Sequence, residues 1–337
     1  YFGRSVSAAG DVNNDGYADI IVGAYGDDNN GSSSGSARVL SGANGSILYT
    51  FNGDSASDLF GWSVSAAGDV NNDGYDDVIV GAYLDDNNGA DSGSARILSG
   101  ANGSILYTFN GDGAGDSFGV SVSGAGDVNN DGYDDVIVGA HYDDNNGSNS
   151  GSARIFSGAN GSILYTLNGD SLNDQFGYSV SDAGDVNHDG FADVIVGAHL
   201  DDNNGIDSGS ARVFSGASGA ILYTFNGDGV YDYLGASVSA AGDVNKDGDD
   251  DVIVGMYGDD NTGSYSGSAR VFSGKNGSIL YTYNGDNVSD YFGYSVSAAG
   301  DVNNDGYDDL IAGAHQDDNA GSNSGSAFVY SGALLVA

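Results

Sequence analysis

The 337-residue chain carries 58 Gly and 48 acidic residues, every one of them Asp, against 8 Lys and Arg, with no Pro and no Cys. Gly and Asp are poor helix formers, which excludes a helical protein, and 22 Tyr with 13 Phe exclude an acidic disordered tail. A net charge of −40 repels nucleic acid and anionic lipid alike, and the lack of Cys removes disulfides, thiolate metal sites and Cys nucleophiles.

The chain opens abruptly on Tyr1-Phe2-Gly3, with no secretory leader and no apolar run long enough to span a membrane. A processed or excised piece without membrane insertion is therefore expected. Length alone suggests two domains, but internal repetition overrides that prior. The string GDVNNDG returns, with small changes, every 58 residues. Copies begin near residues 2, 60, 118, 176, 234 and 292, and no linker separates them. Residues 1–337 are expected to form one domain of stacked repeats.

Copy two shows the predicted elements in order. Gly61 to Ala67 alternates small residues and predicts strand one. Asp69 to Gly74 is a polar loop. Asp77 to Tyr83 is a nearly continuous apolar run, as in a strand buried on both faces. Asp85 to Gly93 is a second polar loop, and Ser94 to Ser99 predicts strand three. Ala101-Asn102-Gly103 signals a hairpin, and Ser104 to Phe109 predicts strand four. Asn110-Gly111-Asp112 then turns the chain toward the next copy.

Four short antiparallel strands per repeat, six times over, predict an all-β, six-bladed β-propeller. The Ser/Ala/Gly-rich strand one suits a crowded inner edge, and the Leu, Tyr and Phe of strand four suit a wide outer one. In copy six, Ala333 to Ala337 predict a shortened fourth strand; the alternative is that this strand is missing.

The loop after strand one reads Asp-x-Asn-x-Asp-Gly-x-x-Asp. Oxygens at alternate positions wrap a hard cation, Gly at position 6 allows the sharp turn, and the carbonyl at position 7 points inward, as in the first half of an EF-hand. An EF-hand closes with Glu at position 12; here that place is Val22, so Asp at position 9 must close the site. The candidate ligands of copy one are Asp11, Asn13, Asp15, the carbonyl of Tyr17, and Asp19. Copy two offers Asp69, Asn71, Asp73, Tyr75 and Asp77, and copy three Asp127, Asn129, Asp131, Tyr133 and Asp135. Copy four offers Asp185, Asn187, Asp189, Phe191 and Asp193, and copy five Asp243, Asn245, Asp247, Asp249 and Asp251. Copy six offers Asp301, Asn303, Asp305, Tyr307 and Asp309. Position 4 drifts to His188 and Lys246, and position 8 alternates between Ala and Asp. Carboxylates that converge without a cation repel, so about six Ca²⁺ per chain are expected. Mg²⁺ demands a tighter octahedron and keeps its waters, so it fits less well. Asp76, at position 8, is a non-ligand whose loss should matter little.

Other recurrent residues have two readings each. Asp27-Asp28, Asp85-Asp86 and their equivalents, with Asp54 and Asp58 nearby, form a second acidic set at the opposite blade end. They offer either a further cation site or Asx-turns that cap loop backbone; the turn reading is favoured. Arg38, Arg96, Arg154, Arg212 and Arg270 recur on strand three, with Phe328 in copy six. They form either a ring of carboxylate binders or, the favoured reading, half-buried partners of loop Asp residues. Tyr25, Tyr83, His141, His199, Tyr257 and His315 end strand two beside the Asp pairs. They are a candidate ligand rim for sugars, or else amphipathic strand ends, which is favoured. No GxSxG, HExxH or Walker loop occurs, and repetition argues against one unique catalytic constellation, so no enzyme is expected.

Phe60-Gly61, then the acidic loop, then Val78 to Ala82 resembles the FG-GAP repeat of integrin α-chain propellers. Phe-Gly recurs at Phe2, Phe118, Phe176 and Phe292, with Leu234-Gly235 in copy five; Gly255-Met256 replaces Gly-Ala there too. The resemblance implies a propeller with calcium between strands one and two. The function expected is an extracellular, calcium-binding adhesion or structural module that meets protein or carbohydrate at a cell surface, or self-associates. A calcium-dependent lectin is the alternative.

Overall fold

The apolar run of strand two occupies an inner place in each sheet, where both of its faces can be covered. The computed structural model of the chain describes residues 1–332, and among these there are strands and turns but no helix. Five sheets have four antiparallel strands in sequence order, and the sixth has three. Each sheet is one copy of the repeat, and the architecture is a six-bladed β-propeller. The strands of blade two are Ser63–Gly68, Asp77–Ala82, Ser94–Leu98 and Ile105–Asn110, within two residues of the sequence-based bounds. Blade six has Phe292–Gly300, Asp309–Ala314 and Ser326–Tyr330; the fourth strand expected from Ala333 to Ala337 lies outside the described residues. The chain divides into two compact units, Tyr1–Tyr178 and Ser179–Ala337.

In strand two of blade two, Val78, Ile79 and Val80 are all buried, although successive side chains point to opposite faces. One set belongs to each neighbouring seam. Ala9, Val12, Ile21, Ala37 and Val39 of blade one pack against Phe60, Val64, Val78, Val80 and Leu98 of blade two. The same partition recurs between blades two and three, and in the second unit. First strands of successive blades within a unit lie together, Val6–Gly10 beside Ser63–Gly68, for example, so small residues gather on that edge. Ile47, Ile105 and Ile163 on fourth strands are exposed.

The Phe-Gly and Gly-Ala elements meet at these seams. A Cβ on Gly23 would lie 2.0 Å from the carbonyl oxygen of Gly61 in the next blade, and one on Gly61 would lie 2.2 Å from that of Ser36. Gly61 also has φ +83, a left-handed conformation that favours glycine. Backbone therefore packs directly on backbone. The preceding phenylalanine is fully buried in blades two, three, four and six, and Leu234 fills the same apolar slot in blade five.

Candidate metal centre

A register shift between Ala66 and Gly68 ends strand one and delivers Asp69 into the acidic loop. Gly74 has φ +88 and Asn72 φ +56. Position 4 is left-handed in all six loops, which suits Asn and makes His188 (φ 55) and Lys246 (φ 57) strained substitutes. Within the loop, the Asp69 carboxylate accepts the N–H groups of Asp73 at 2.9 Å and Gly74 at 2.8 Å. Asp73 in turn accepts that of Tyr75 at 3.1 Å. Every copy repeats this pattern.

Position 9 has a structural task of its own. Asp19 accepts the N–H of Val12 at 3.1 Å and that of Gly42, in the hairpin between strands three and four, at 2.9 Å. Asp77, Asp135, Asp193, Asp251 and Asp309 hold the matching hairpin glycines. Its recurrence therefore has a cause besides cation binding. Burial lifts the Asp77 carboxyl to about 7; the Gly100 N–H works against this, and the Asp73 and Asp69 charges add to it. Asp135, Asp193 and Asp251 are likewise pushed up to about 7, chiefly by burial. These groups call for a proton or a cation at neutral pH.

Position 3 gives the most direct test of fit. The Oδ1 atoms of Asn13, Asn71 and Asn129 are buried and accept no hydrogen bond. An amide oxygen buried without a donor costs free energy, and a hard cation supplies what it lacks. In the second unit, Asn187, Asn245 and Asn303 instead accept the N–H of Asp189, Asp247 and Asp305. Loop five differs further: Lys275 Nζ lies 3.9 Å from Asp247 and 3.3 Å from Asp249. That ammonium competes with an ion for the same oxygens.

Asp76 has a role its sequence neighbours conceal. Its carboxylate accepts the N–H of Asp11, the first residue of the preceding blade's loop, at 2.6 Å. Asp134 holds Asp69 and Asp250 holds Asp185 at 2.9 Å in the same way. At Asp76, Asp134 and Asp250, position 8 thus ties one blade to the next, a contact the sequence reading of Asp76 did not include.

The second acidic set makes the expected Asx-turns and also brings its members into the kind of group that the other reading, a further cation site, would need. Asp85 accepts the N–H of Asn87 at 2.9 Å and the hydroxyl of Ser94 at 2.7 Å, and Asp86 accepts the N–H of Asp91 at 2.8 Å. Three carboxylates also converge within 4.8 Å: Asp54, Asp58 and Asp85, with equivalent groups at Asp112 and Asp286. Among the described residues, it is these groups and not the acidic loops that bring three carboxylates so close. Arg96 supplies positive charge, 2.6 Å from Asp54 and 3.4 Å from Asp85, with its guanidinium over the Phe60 ring. Arg154 and Arg270 repeat this bridge from connector to loop, so the arginines are internal partners, as favoured.

Burial lifts Asp58 to about 7, aided by its hydrogen bond with Asp54 and the charge of Asp85. Burial would raise Asp54 too, but Arg96 outweighs it and holds that carboxyl low. In such pairs the buried member therefore holds its proton to higher pH; Asp116 and Asp232 are lifted to about 6. The folded state holds these protons at pH values where the unfolded chain has released them. The stability they contribute is complete below the ordinary carboxylate range and is lost as pH rises through 6 to 7. In metal-stripped protein, melting temperature should fall from pH 5 to pH 8, each group contributing at most about 1.4 kcal/mol per pH unit. Asp58→Asn keeps a donor in place, so it should flatten the slope and melt no lower than the parent at pH 8. A slope as steep as the parent's would show that Asp58 does not hold the proton.

The rim residues fall into ring stacks. Tyr25 stacks on Tyr1 at 5.1 Å and meets Trp62 at 5.0 Å, which in turn touches Tyr83 at 4.7 Å. In the second unit, Tyr257 stacks on Tyr233 at 4.9 Å, and His315 lies 4.3 Å from Tyr294. His141 and His199 are buried, and burial lowers the His141 pKa to about 4, so that imidazole is neutral. These rings cover one another, as strand ends do.

The Phe-Gly crossing, the acidic loop and the glycine seam are shared with a known repeat. The FG-GAP repeat matches residues 2–40, 60–98, 118–156 and 292–330, and a second form of the same repeat matches 168–214. The chain belongs to the FG-GAP repeat family. It is similar to integrin alpha-V of Gallus gallus, 32% identical over 208 residues, which covers 58% of this chain and 20% of that one. Integrin alpha-5 of Xenopus laevis is 29% identical over 239 residues, covering 65% and 22%, and human integrin alpha-6 is 32% identical over 162 residues, covering 45% and 14%. The FG-GAP chain thus spans about a fifth of the length of these relatives.

Proposed function

We propose that this FG-GAP chain is a calcium-stabilised propeller that serves as a non-catalytic adhesion or structural module outside the cell. Residues 1–337 acting as one domain belong to the same reading. The observation that carries it is the buried, unpartnered Asn Oδ1 of Asn13, Asn71 and Asn129, set among the Asp side chains of the acidic loops. In each loop the ion would be held by positions 1, 3, 5 and 9 and the carbonyl at 7. It would neutralise carboxylates that burial leaves short of positive charge, and so fix the loop to the strand it precedes. Six doubly charged ions would offset part of the −40, and a calcium-rich, salty medium would screen more. The partner on this reading is a protein at a cell surface. The ring stacks give carbohydrate binding no support, and no helix is long and apolar enough to cross a membrane.

Calorimetric titration of metal-stripped protein tests the sites. About six Ca²⁺ per chain are expected, with loop five weakest because Lys275 must be displaced. Asp73→Ala should remove one site. Asp76→Ala should keep the full stoichiometry yet melt lower, because it loses the latch to Asp11. Two or fewer ions per chain, or the same stoichiometry loss in both variants, would overturn the ligand assignment.

A further inference from the structure

Three seams inside the two units close on a stacked pair of rings, and a fourth does not. Phe109 of blade two stacks on Phe156 of blade three with centroids 4.0 Å apart, and the Phe118 ring meets Phe156 edge-on at 6.0 Å. Phe225 and Phe272 repeat the stack at 3.9 Å between blades four and five, and Tyr283 and Tyr330 at 4.0 Å between blades five and six. Between blades one and two, the place of Phe156 belongs to Leu98. Phe51 and Phe60 stand there as Phe109 and Phe118 do in the next seam, but the residue that should join them has no ring.

A cleft of about 350 Å³ opens at this seam, between strand four of blade one, Ile47–Asn52, and strands three and four of blade two. Its walls are Phe51, Phe60, Leu98 and Ile105, and Asn30 and Arg96 give it a polar fringe. Phe109 and Phe225, each with a ring stacked on it, are 7% and 6% exposed, whereas Phe51 is only half-buried. The Phe51 ring thus shows water a face that its counterparts have covered. Mainly apolar walls with a few polar groups, at this size, are the features of a small-molecule site.

We propose that this cleft binds a small neutral molecule with a phenyl or phenol ring, which lies on the Phe51 face beside the shorter Leu98. The other seams show the chemistry the slot takes: a phenyl ring from Phe156 and Phe272, and a phenol from Tyr330. Offset and edge-on rings attract one another beyond the area they bury, because the positive edge of one faces the negative face of the other. Arg96 lies over the Phe60 ring, and its charge is already matched by Asp54 and Asp85. In a chain of net charge −40 an anionic ligand is repelled, so the ring arrives uncharged. One hydroxyl on it suits the polar fringe. The site lies wholly within the first unit and rests on seam residues, apart from the calcium and adhesion readings, which stand whether or not a ring binds here.

Titration of the calcium-loaded full chain with para-fluorophenol, followed by fluorine NMR, tests it. The expected result is saturable binding at one site per chain, with a dissociation constant in the millimolar range. Leu98→Phe gives this seam the ring that blade three has, and it should lose the binding while melting no lower than the parent. Phe156→Leu opens the same slot between blades two and three, and it should bind two molecules per chain. A parent that shows no saturable binding overturns the proposal. So does Leu98→Phe that is folded and binds as the parent does. Should Leu98→Phe misfold, the parent and Phe156→Leu decide the matter: a stoichiometry that stays at one in Phe156→Leu overturns it.

Discussion

Excess chelator at low ionic strength should lower the melting temperature of the calcium-loaded protein by tens of degrees. At a hundredfold excess over Kd, each ion stabilises the fold by about 2.7 kcal/mol, so six sites together give roughly 16 kcal/mol. For domains of this size, 1 kcal/mol moves the melting point by about 2–4 °C. Repulsion adds to the effect, because the acidic-loop carboxylates lose the counter-charge that the ion would supply. Sodium chloride should restore only part of the loss: screening softens repulsion but gives the buried Asn71 Oδ1 no partner. Differential scanning calorimetry with and without chelator checks this. An unchanged curve, with calcium shown to be absent by metal analysis, would mean that the loops are turns held by hydrogen bonds alone.

The second large effect is expected from one methyl group. In Gly81→Ala the new Cβ would lie 2.0 Å from the carbonyl oxygen of Gly119. No flexible side chain can yield there; the seam itself must open. Overpacking of this kind costs about 3 kcal/mol, and the melting point should fall by about 6–12 °C. Gly313→Ala is the matched control, because there only the Ser295 hydroxyl, 2.7 Å away, has to turn aside. Its melting point should hardly move. Equal losses in both variants would show that the penalty arises from local backbone preference and not from the seam.

The fold was legible because its period is. A 58-residue repeat that places Val-Ile-Val between two polar loops leaves few arrangements that bury both faces of that strand. The arginine pairs were legible for a similar reason, since a recurrent Arg among so many Asp residues finds one close by. Asp76 was not: it sits beside a candidate ligand, and its work is done across a seam, 65 residues away in sequence. The set of Asp54, Asp58 and Asp85 was legible as neighbours, but not how closely they converge, since they are assembled from a connector and the following blade's loop. Sequence periodicity reports what a residue is suited to touch, not whether its partner is there.

The Asp76–Asp11 contact also has a mechanical side. A pull that separates blade two from blade one stretches a hydrogen bond held on one side by the residue that opens the acidic loop. Under tension, the first movement at that seam would reach Asp11, and with it the oxygens proposed to hold an ion. An ion that grips Asp11 would in turn stiffen the seam against the pull. Ion and seam then act as springs in series: a strained joint would shed its ion before its strands part, and a refilled loop would draw the joint closed.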